Sequence, residues 1–379
     1  MYARRLDLAG LLRKKSVFLL GPRSTGKSTL IGQQLPEART YDLLDADVFN
    51  RLLREPRLLA EENERNVIIA IDEIQKLPQL LDEVHRLIER DKRRFVLTGS
   101  SARKLKRGAS NLLAGRAWET RLFPLTFGEL PRFDLTRYLN RGGLPQVYDS
   151  DDFAEELKSY SNLYLREEIQ AEGLTRNLPA FARFLDAIAL SNGEELSYQG
   201  LASDCGLPAS TVVNYVQILD DTLLGFSVAS FKRTKKRKAI TRGKHFLFDV
   251  GVTNTLCRRG VIQPKSELFG KAFEHFIVLE ARAYLSYARR DDELAYWRST
   301  SQFEVDLIIG DRLAIEIKST DLVGDRHLRG LRALKEEKGL IRDFAVVSLD
   351  KHARRTEDGI HIWPWSEFLQ RLWSGDLLD

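Results

Sequence analysis

Residues 17–31 read VFLLGPRSTGKSTLI, an apolar run followed by a glycine-containing loop and a second apolar pattern. The loop has the complete spacing GxxxxGK(S/T), and it lies between an expected buried strand and the start of an expected helix. Glycines allow backbone N–H groups to approach phosphate oxygens, and a helix N-terminus favours anions. The pattern predicts a nucleoside triphosphate site formed by Gly21, Pro22, Arg23, Ser24, Thr25, Gly26, Lys27, Ser28 and Thr29.

Two carboxylates are expected to complete this site for hydrolysis. Residues 67–73, VIIAIDE, read as a strand buried on both faces that ends in Asp72 and Glu73. Lys27 would contact the β- and γ-phosphates, because its charge follows the loop directly. Ser28 and Asp72 would hold Mg²⁺, and Glu73 would polarise the attacking water. The sequence therefore predicts ATP and Mg²⁺ as the cofactors of a hydrolase.

A third strand, residues 94–101 with the sequence RFVLTGSS, also ends in hydroxyl side chains. Ser100 can sense the γ-phosphate or position water. It can equally cap a following helix, since serine favours that role. Both interpretations stay open at this point.

Strands and helices alternate over the first third of the chain, which predicts a parallel sheet with covering helices and an α/β fold. The strand signal then gives way to helical periodicity over residues 127–190, where GGLP at 142–145 reads as a turn. The expected strands are Val17–Gly21, Thr40–Leu44, Val67–Asp72, Phe95–Thr98 and Arg121–Leu125.

Residues 194–250 carry a helix-turn-helix pattern followed by a hairpin, which predicts a winged helix. The helices are expected at Ser197–Asp204 and Ser210–Asp220. In the second helix one face would pack inward (Val212, Val213, Val216 and Leu219), and the other would face a DNA groove (Ser210, Thr211, Asn214 and Gln217).

The hairpin itself is strongly basic, with eight basic residues and no acid over positions 232–244. Such a tip is placed to contact phosphates. The alternatives are a solvated loop and a protein-contact surface. The residues expected to touch DNA here are Lys235, Lys236, Arg237 and Lys238.

A second constellation lies near the C-terminus. Glu274 is expected on a helix, Gly270–Tyr284, while Asp306, Glu316 and Lys318 are expected on two paired strands. Three carboxylates form a hard-oxygen cluster suited to Mg²⁺, and a lysine beside them can activate water or steady a phosphate. The alternatives are a docking domain without catalysis and paired charges on an edge hairpin.

Taken in order, these motifs resemble one family over nearly the whole chain. VIIAIDEIQKLP, FVLTGSSARKL, LFPLTFGEL and GGLP, together with the phosphate-binding loop, resemble the prokaryotic family in which an AAA-type P-loop ATPase is fused to a DUF4143 region. The resemblance implies a homo-oligomeric ring, such as a hexamer or heptamer. It also implies that Arg116, 16 residues past Ser100, is an arginine finger acting in a neighbouring subunit; a surface or capping arginine is the alternative.

The C-terminal constellation resembles the PD-(D/E)xK nuclease fold. Val305 stands where that fold has proline, and the region after Lys318 offers no obvious glutamine-containing nuclease motif. The domains expected are an ATPase core at 1–126, a helical lid at 127–190, a winged helix at 191–262 and a nuclease-like domain at 263–379. The function expected is DNA-engaging ATP hydrolysis coupled to a nuclease or nuclease-like domain; the alternative is a nucleotide-switched DNA-binding regulator or scaffold.

Composition places few further limits on function. The chain has 379 residues, 43% hydrophobic and 30% charged, with a net charge of +5. No apolar stretch approaches the ~20 residues that span a membrane, and the first residues lack the apolar core of a signal peptide. Two cysteines make neither a disulfide framework nor a cysteine-rich zinc site. We therefore expect a cytoplasmic protein without a membrane partner.

Overall fold

A computed structural model describes residues 2–101, 113, 115–164 and 177–378. The chain divides into two compact units. The first comprises Met1–Leu125 with Ile218–Leu224, and the second comprises Thr126–Gln217 with Gly225–Asp379. The two units are described separately below.

The first unit is built on a five-stranded sheet in the order β2-β3-β4-β1-β5, in which all neighbouring strands are parallel. The expectation of a parallel α/β sheet is thereby confirmed. The strands are β1 Ser16–Leu20, β2 Arg39–Asp42, β3 Ile69–Asp72, β4 Phe95–Gly99 and β5 Ala117–Arg121. The helices are Leu8–Lys14, Lys27–Gln34, Ala46–Arg54, Leu58–Glu61 and Leu80–Asp91, with a 3₁₀ turn at Ile74–Lys76.

The last strand of this sheet lies earlier than the sequence predicts. The apolar residues 122–125 suggested a strand at Arg121–Leu125, whereas β5 is Ala117–Arg121. Strand β5 lies at the sheet edge and pairs only with β1. An edge strand needs less apolar sequence than a central one, so the hydrophobic pattern is shifted relative to the hydrogen-bonded segment.

The core of the first unit explains why the central strands read as apolar runs. Ile69 and Ile71 of β3 and Phe95 of β4 are fully buried against Val84 and Leu87 of the helix Leu80–Asp91. Burial of each such side chain contributes about 1.5–3 kcal/mol. The central strands are thereby held firmly, and so are the loops that follow them.

The second unit begins with helices, as expected for residues 127–190 over the part that the structure describes. They are Leu135–Arg141, Pro145–Asp149, Phe153–Ser159 and Leu178–Leu190, with a 3₁₀ turn at Phe127–Glu129 and a π turn at Tyr160–Tyr164. The helices Tyr198–Cys205 and Ala209–Asp221 follow, close to the predicted helix pair. Ser197 is the N-cap of the first of these helices and accepts a hydrogen bond from the Gly200 N–H at 3.2 Å.

An eight-stranded sheet forms the remainder of the second unit, in the order β12-β13-β11-β10-β9-β8-β6-β7. Its strands are β6 Gly225–Ser230, β7 Lys244–Leu247, β8 Leu294–Arg298, β9 Glu304–Ile309, β10 Leu313–Lys318, β11 Asp343–Ser348, β12 Arg354–Arg355 and β13 His361–Pro364. The helices are Val250–Leu256, Glu267–Tyr287, Arg329–Lys335 and Trp365–Ser374, with a 3₁₀ turn at Asp325–Leu328.

The predicted hairpin is an integral part of this sheet. Strands β6 and β7 are antiparallel, and β6 also pairs in parallel with β8 through Ala229 and Ala295. One sheet therefore runs across the boundary that the sequence predicts at residues 262/263. Pairing between residues so far apart in sequence leaves no local pattern, and the division into four domains stays a prediction.

The GGLP segment is held by a buried carboxylate. Gly142 has φ 74° and ψ −168°, a conformation that only glycine adopts easily. Asp249 accepts hydrogen bonds from the Gly143 N–H at 2.7 Å and the Val252 N–H at 3.0 Å, and it caps the helix Val250–Leu256. Burial raises the pKa of Asp249 to about 6 despite these bonds. A Cβ at Gly142 would lie 2.1 Å from Asp249 Oδ1.

We predict that Gly142→Ala destabilises the second unit. The strained backbone alone costs about 1–3 kcal/mol, and the new methyl group would displace the Asp249 carboxylate. Tryptophan fluorescence during urea unfolding is a suitable measurement, because four of the five tryptophans (Trp297, Trp363, Trp365 and Trp373) lie in this unit. Gly260→Ala is the control, since a Cβ there has no neighbour within 4 Å. Equal unfolding midpoints for the two variants would contradict the role assigned to Gly142.

Candidate functional site

The phosphate-binding loop joins β1 to the helix Lys27–Gln34, as the sequence predicts. Gly26 immediately precedes the helix with φ 90°, which a residue with a Cβ adopts only with strain. Gly21 packs so closely that a Cβ would lie 2.5 Å from the Leu122 carbonyl oxygen. The two glycines of the motif are therefore required by the backbone itself.

Lys27 lies over the loop that precedes it. Its side chain is buried, and Nζ donates to the carbonyl oxygens of Gly21 at 2.8 Å and Pro22 at 3.1 Å. Thr25 Oγ1 donates to the same Pro22 carbonyl at 2.8 Å. These hydrogen bonds hold the Lys27 ammonium over the loop, where the motif requires positive charge.

Arg4 supports the loop from the N-terminal segment, and sequence reasoning missed it. Its guanidinium donates to the Thr25 carbonyl at 2.6 Å and to the Phe123 carbonyl at 2.5 Å. These bonds tie the loop to the chain that follows β5. An isolated arginine before the first helix carries no motif that would have marked this contact.

The two residues expected to share Mg²⁺ meet in space. Ser28 Oγ donates to Asp72 Oδ2 at 2.7 Å, although 44 residues separate them. Thr98 Oγ1 also hydrogen-bonds to Asp72, through Oδ1. A hydroxyl and a carboxylate are hard oxygen ligands of the kind that Mg²⁺ prefers, so this pair fits the ion.

Glu73 is fixed by three polar neighbours. The Glu73 backbone N–H donates to Thr98 Oγ1 at 3.0 Å, and the Glu73 backbone adopts a left-handed conformation with φ 58°. Its carboxylate accepts hydrogen bonds from Gln75 Nε2 and, at 3.4 Å, from Ser100 Oγ. Strained backbone of this kind clusters at functional sites. Gln75, which donates to Ser100 at 3.0 Å, was not among the predicted residues although it stands in the quoted motif.

Ser100 is thus placed beside Glu73, which is compatible with positioning water. Its alternative role, capping a following helix, concerns residues 102–112, which lie outside the described residues. Among the other predicted loop residues, Ser24 and Thr29 are exposed and Arg23 is half-buried.

Arg116 lies at the end of the sheet where β1 begins, whereas the phosphate-binding loop lies at the end where β1 finishes. Ala117 pairs with Ser16 at the start of β1, whereas Arg121 pairs with Leu20 at its end, just before the loop. At about 3.3 Å per residue along the strands, roughly 15 Å separates these two ends of the sheet. Arg116 forms an ion pair with Glu89 of the helix Leu80–Asp91. Its position excludes a direct role at the phosphate-binding loop of its own chain.

The outward face of the helix Ala209–Asp221 is largely as predicted. Ser210, Asn214 and Gln217 are exposed and Thr211 is half-buried, while Val212, Val216 and Leu219 are buried. Val213 was predicted to pack inward but is 44% exposed. It lies about 100° further around the helix than Val212, and Tyr215 fills the buried face instead.

The basic loop between β6 and β7 is ordered by an acid from another part of the unit. The Glu337 carboxylate accepts hydrogen bonds from the backbone N–H groups of Lys235 and Lys236 at 2.8 Å and of Arg237 at 3.0 Å. The Arg237 guanidinium also pairs with Glu336 and donates to the Ala333 carbonyl. Six basic side chains of the loop are exposed: Lys232, Arg233, Lys235, Lys236, Lys238 and Arg242.

A groove of about 770 Å³ separates the helix pair from this hairpin. Ser197, Tyr198 and Gln199 contribute to its helical side. Lys232, Arg242 and Lys244 contribute positive charge from the hairpin side.

The four residues of the second constellation come together, with the register that the sequence suggests. Asp306 on β9 accepts hydrogen bonds from the Ile317 N–H at 2.7 Å and from Lys318 Nζ at 3.2 Å. Lys318 Nζ also lies 2.6 Å from Glu316 Oε1. Glu274 lies on the helix Glu267–Tyr287.

Two further residues enter this cluster that sequence reasoning did not place there. Lys244 Nζ lies 3.2 Å from Glu274 Oε1 and 2.9 Å from Glu304 Oε1. The sequence assigned Lys244 to the basic hairpin, but its side chain is buried. We call Lys244, Glu274, Glu304, Asp306, Glu316 and Lys318 the carboxylate–lysine cluster.

Burial and the charges of neighbouring residues shift the pKa values of several residues in this cluster. Burial raises the pKa of Glu274 to about 7, against the lowering effect of Lys244. Burial and the Asp306 charge likewise raise the pKa of Glu316. Burial alone would lower the pKa of Lys318, but Asp306 and Glu316 outweigh it and raise the pKa.

These residues do not fit a divalent metal as they are placed. Within the described parts of the chain, no group of three or more carboxylate, histidine or cysteine residues is arranged to hold a metal ion. Glu316 Oε2 is buried without a hydrogen-bond partner, as a ligand atom would be, but ammonium groups lie among the other carboxylates. The structure therefore does not form the Mg²⁺ site that was expected from Glu274, Asp306 and Glu316.

Comparison with known families and proteins matches three successive segments of the chain. An AAA domain model matches residues 13–131, and a domain of unknown function, DUF4143, matches residues 269–368. Another domain of unknown function, DUF8612, matches residues 132–262, which include the helices and the hairpin. The chain thus combines an AAA domain with a DUF4143 domain, as the sequence resemblance implies.

Several relatives are similar to this chain over most of their length. Uncharacterized proteins of Mycobacterium tuberculosis and Mycobacterium bovis are each 27% identical over 388 residues, which is 97% of this chain and 85% of theirs. An uncharacterized protein of Methanocaldococcus jannaschii is 23% identical and covers 94% of this chain and 85% of its own. A solved structure, the Thermotoga maritima RuvB Holliday junction branch migration motor, matches 58% of this chain and 87% of its own, with 17% identity and a TM-score of 0.29.

Together, the AAA match and the P-loop geometry indicate that residues 13–131 form an AAA-type ATPase domain. Among the helices that the structure describes, none combines the length and apolar character needed to cross a membrane.

Proposed function

We propose that this protein is an oligomeric AAA-type ATPase that hydrolyses ATP with Mg²⁺ and engages DNA. The observation that carries the ATPase is that Ser28, from the helix Lys27–Gln34, meets Asp72 at the end of β3, where Glu73 follows directly. Pairs of this kind hold Mg²⁺ and orient water in P-loop enzymes.

Each residue of the site has a defined task in this proposal. Lys27 exchanges its contacts to the loop carbonyls for the β- and γ-phosphates of ATP. Ser28 and Asp72 hold Mg²⁺, which neutralises developing charge on the phosphates. Thr98 fixes the Asp72 carboxylate through its hydroxyl.

Glu73 accepts a proton from the attacking water in this scheme. Gln75 and Ser100 keep its carboxylate in position through the hydrogen bonds described above. A positioned general base of this kind accelerates a reaction about 10²–10⁴-fold.

We predict that Lys27→Ala abolishes ATP binding, because it removes the charge that the loop directs at the phosphates. Glu73→Gln should keep ATP binding and lose turnover about 10²–10⁴-fold, since only the base is removed. Calorimetry measures the binding and phosphate release measures the turnover. Glu61→Gln, an exposed change of the same type in the same unit, is the control. Normal turnover in Glu73→Gln would refute its role as base.

The oligomeric part of the proposal rests on Arg116. Arg116 lies at the end of the sheet away from the phosphate-binding loop of its own chain, a position that suits a residue completing the site of an adjacent subunit. There its guanidinium would stabilise charge on the transferred phosphoryl group. The ion pair with Glu89 would hold it ready at the surface.

We predict that Arg116→Ala leaves ATP affinity nearly intact and lowers turnover about 10³-fold, the scale of known arginine fingers. Mixing it with Lys27→Ala protein should restore part of the activity, because mixed interfaces pair an intact loop with an intact Arg116. Arg90→Ala, an exposed arginine on the helix that carries Glu89, is the control. The finger assignment fails if mixtures stay inactive and specific activity does not depend on protein concentration.

DNA engagement rests on the positively charged surface of the second unit. Lys232 of the β6–β7 loop lines the groove beside the helix pair, and Lys235, Lys236 and Lys238 of the same loop are exposed. Asn214 and Gln217 of the second helix are exposed and Thr211 is half-buried. Ordering of the loop by Glu337 presents these charges at fixed positions. Arg237 contributes less than its charge suggests, since its guanidinium is already paired.

We predict that neutralising Lys235, Lys236 and Lys238 to glutamine weakens duplex DNA binding and flattens its salt dependence. The log–log slope should fall by about 0.9 for each lost phosphate contact. Fluorescence anisotropy over a salt series measures this slope. The control replaces Lys14, Lys92 and Lys158, which are exposed elsewhere, and removes the same charge. An unchanged slope in the loop variant would place the DNA contact elsewhere.

A second candidate function is a nucleotide-switched DNA-binding regulator or scaffold with a catalytically silent C-terminal domain. The observation that favours it over a coupled nuclease is that Lys244, in addition to the motif lysine Lys318, pairs with carboxylates of the carboxylate–lysine cluster. Strong stimulation of ATP turnover by DNA supports a motor, and weak stimulation supports the switch.

A further inference from the structure

Lys244 occupies a site that is built for a cation. Its ammonium lies between Glu274 and Glu304, at 3.2 and 2.9 Å, and 5.1 Å from the centre of the Tyr296 ring. The residue is 5% exposed. Carboxylates on two sides and an aromatic face are the surroundings in which a buried cation is stable.

The cluster contains its own cations. Its four carboxylates face two ammonium groups, and the Arg298 guanidinium, which pairs with Glu195 at 3.1 Å, also lies 3.8 Å from Glu304. Removing one partner of such a buried set leaves an uncompensated charge, which is strongly unfavourable. The protein therefore supplies from its own side chains the cations that a hard-oxygen cluster would otherwise take from solution.

Lys244 reaches the cluster from the hairpin. It begins β7, where it pairs with Val228 of β6, and it also lines the groove between the hairpin and the helix pair. Lys244 thus belongs both to the lining of this groove and, through its ammonium, to the carboxylate–lysine cluster.

We propose that Lys244 is the resident cation of the carboxylate–lysine cluster and excludes a divalent metal from it. A divalent ion bound to Glu274 at ordinary oxygen distances of about 2.0–2.6 Å would lie against the ammonium, and two like charges at that separation repel strongly. The hairpin thereby controls whether the cluster can bind metal. This inference does not depend on ATP hydrolysis or on DNA binding.

The test is calorimetric titration of Mn²⁺ into the nucleotide-free, full-length protein. Lys244→Met should show one additional Mn²⁺ site compared with wild type. That site should disappear in the double variant Lys244→Met with Asp306→Asn. Lys244→Arg, which keeps the charge, should behave as wild type, and so should Lys238→Met, which changes an exposed lysine of the same hairpin.

Loss of Lys244 also removes a buried charge, so stability gives a second measurement. Mn²⁺ should raise the Tm of Lys244→Met relative to its value in chelator, by more than it raises that of wild type. An Asp306-dependent Mn²⁺ site of equal affinity in the wild-type protein would overturn the proposal. A folded Lys244→Met protein without a new site, or one that stays unfolded with Mn²⁺, would overturn it as well.

Discussion

The carboxyl ends of β1, β3 and β4 meet at one edge of a parallel sheet, and the nucleotide site depends on that constraint. Residues distant in sequence, such as Ser28 and Asp72, come within hydrogen-bonding distance because Ser28 follows β1 and Asp72 ends β3, the two strands that flank β4. The buried strands hold these ends firmly, since consecutive residues of β3, Ile69, Ala70 and Ile71, are all fully buried, which places apolar side chains on both faces of the strand. The chemistry is thereby carried by short loops on a rigid core.

The second unit is governed by a different constraint, the cost of burying charge. Asp249 and Glu316 are buried and Glu274 is half-buried; all three carboxylates have raised pKa values, but their surroundings differ. Asp249 accepts backbone hydrogen bonds and fixes a glycine turn, which is a structural task. Glu274 pairs with an ammonium group instead. The groups that an acidic side chain contacts, more than its burial, therefore distinguish a structural acid from a candidate functional acid.

Sequence patterns correctly predicted those features of the fold that interactions between nearby residues determine. The phosphate-binding loop, the central strands and the helix pair were found close to their predicted limits, because apolar periodicity and glycine spacing are set within a few residues. β5 and Val213 were misplaced, since an edge strand and a helix flank have weak apolar signals. Lys244 could not be recognised at all: in sequence it is one of eight basic residues, and its burial depends on Glu274 and Glu304, far along the chain.

The position of Lys244 changes how the hairpin has to be interpreted. The sequence treats the basic residues at 232–244 as one surface, but the structure divides them by role. Lys235 and Lys236 extend from a loop anchored by Glu337, Arg237 packs against its neighbours, and the buried Lys244 pairs with Glu274 and Glu304. Because β6 and β7 belong to the same sheet as β9 and β10, a change at Lys244 acts on the cluster as well as on the groove. Removing every basic residue of the hairpin at once would therefore combine two separate effects, a loss of surface charge and a disruption of the cluster.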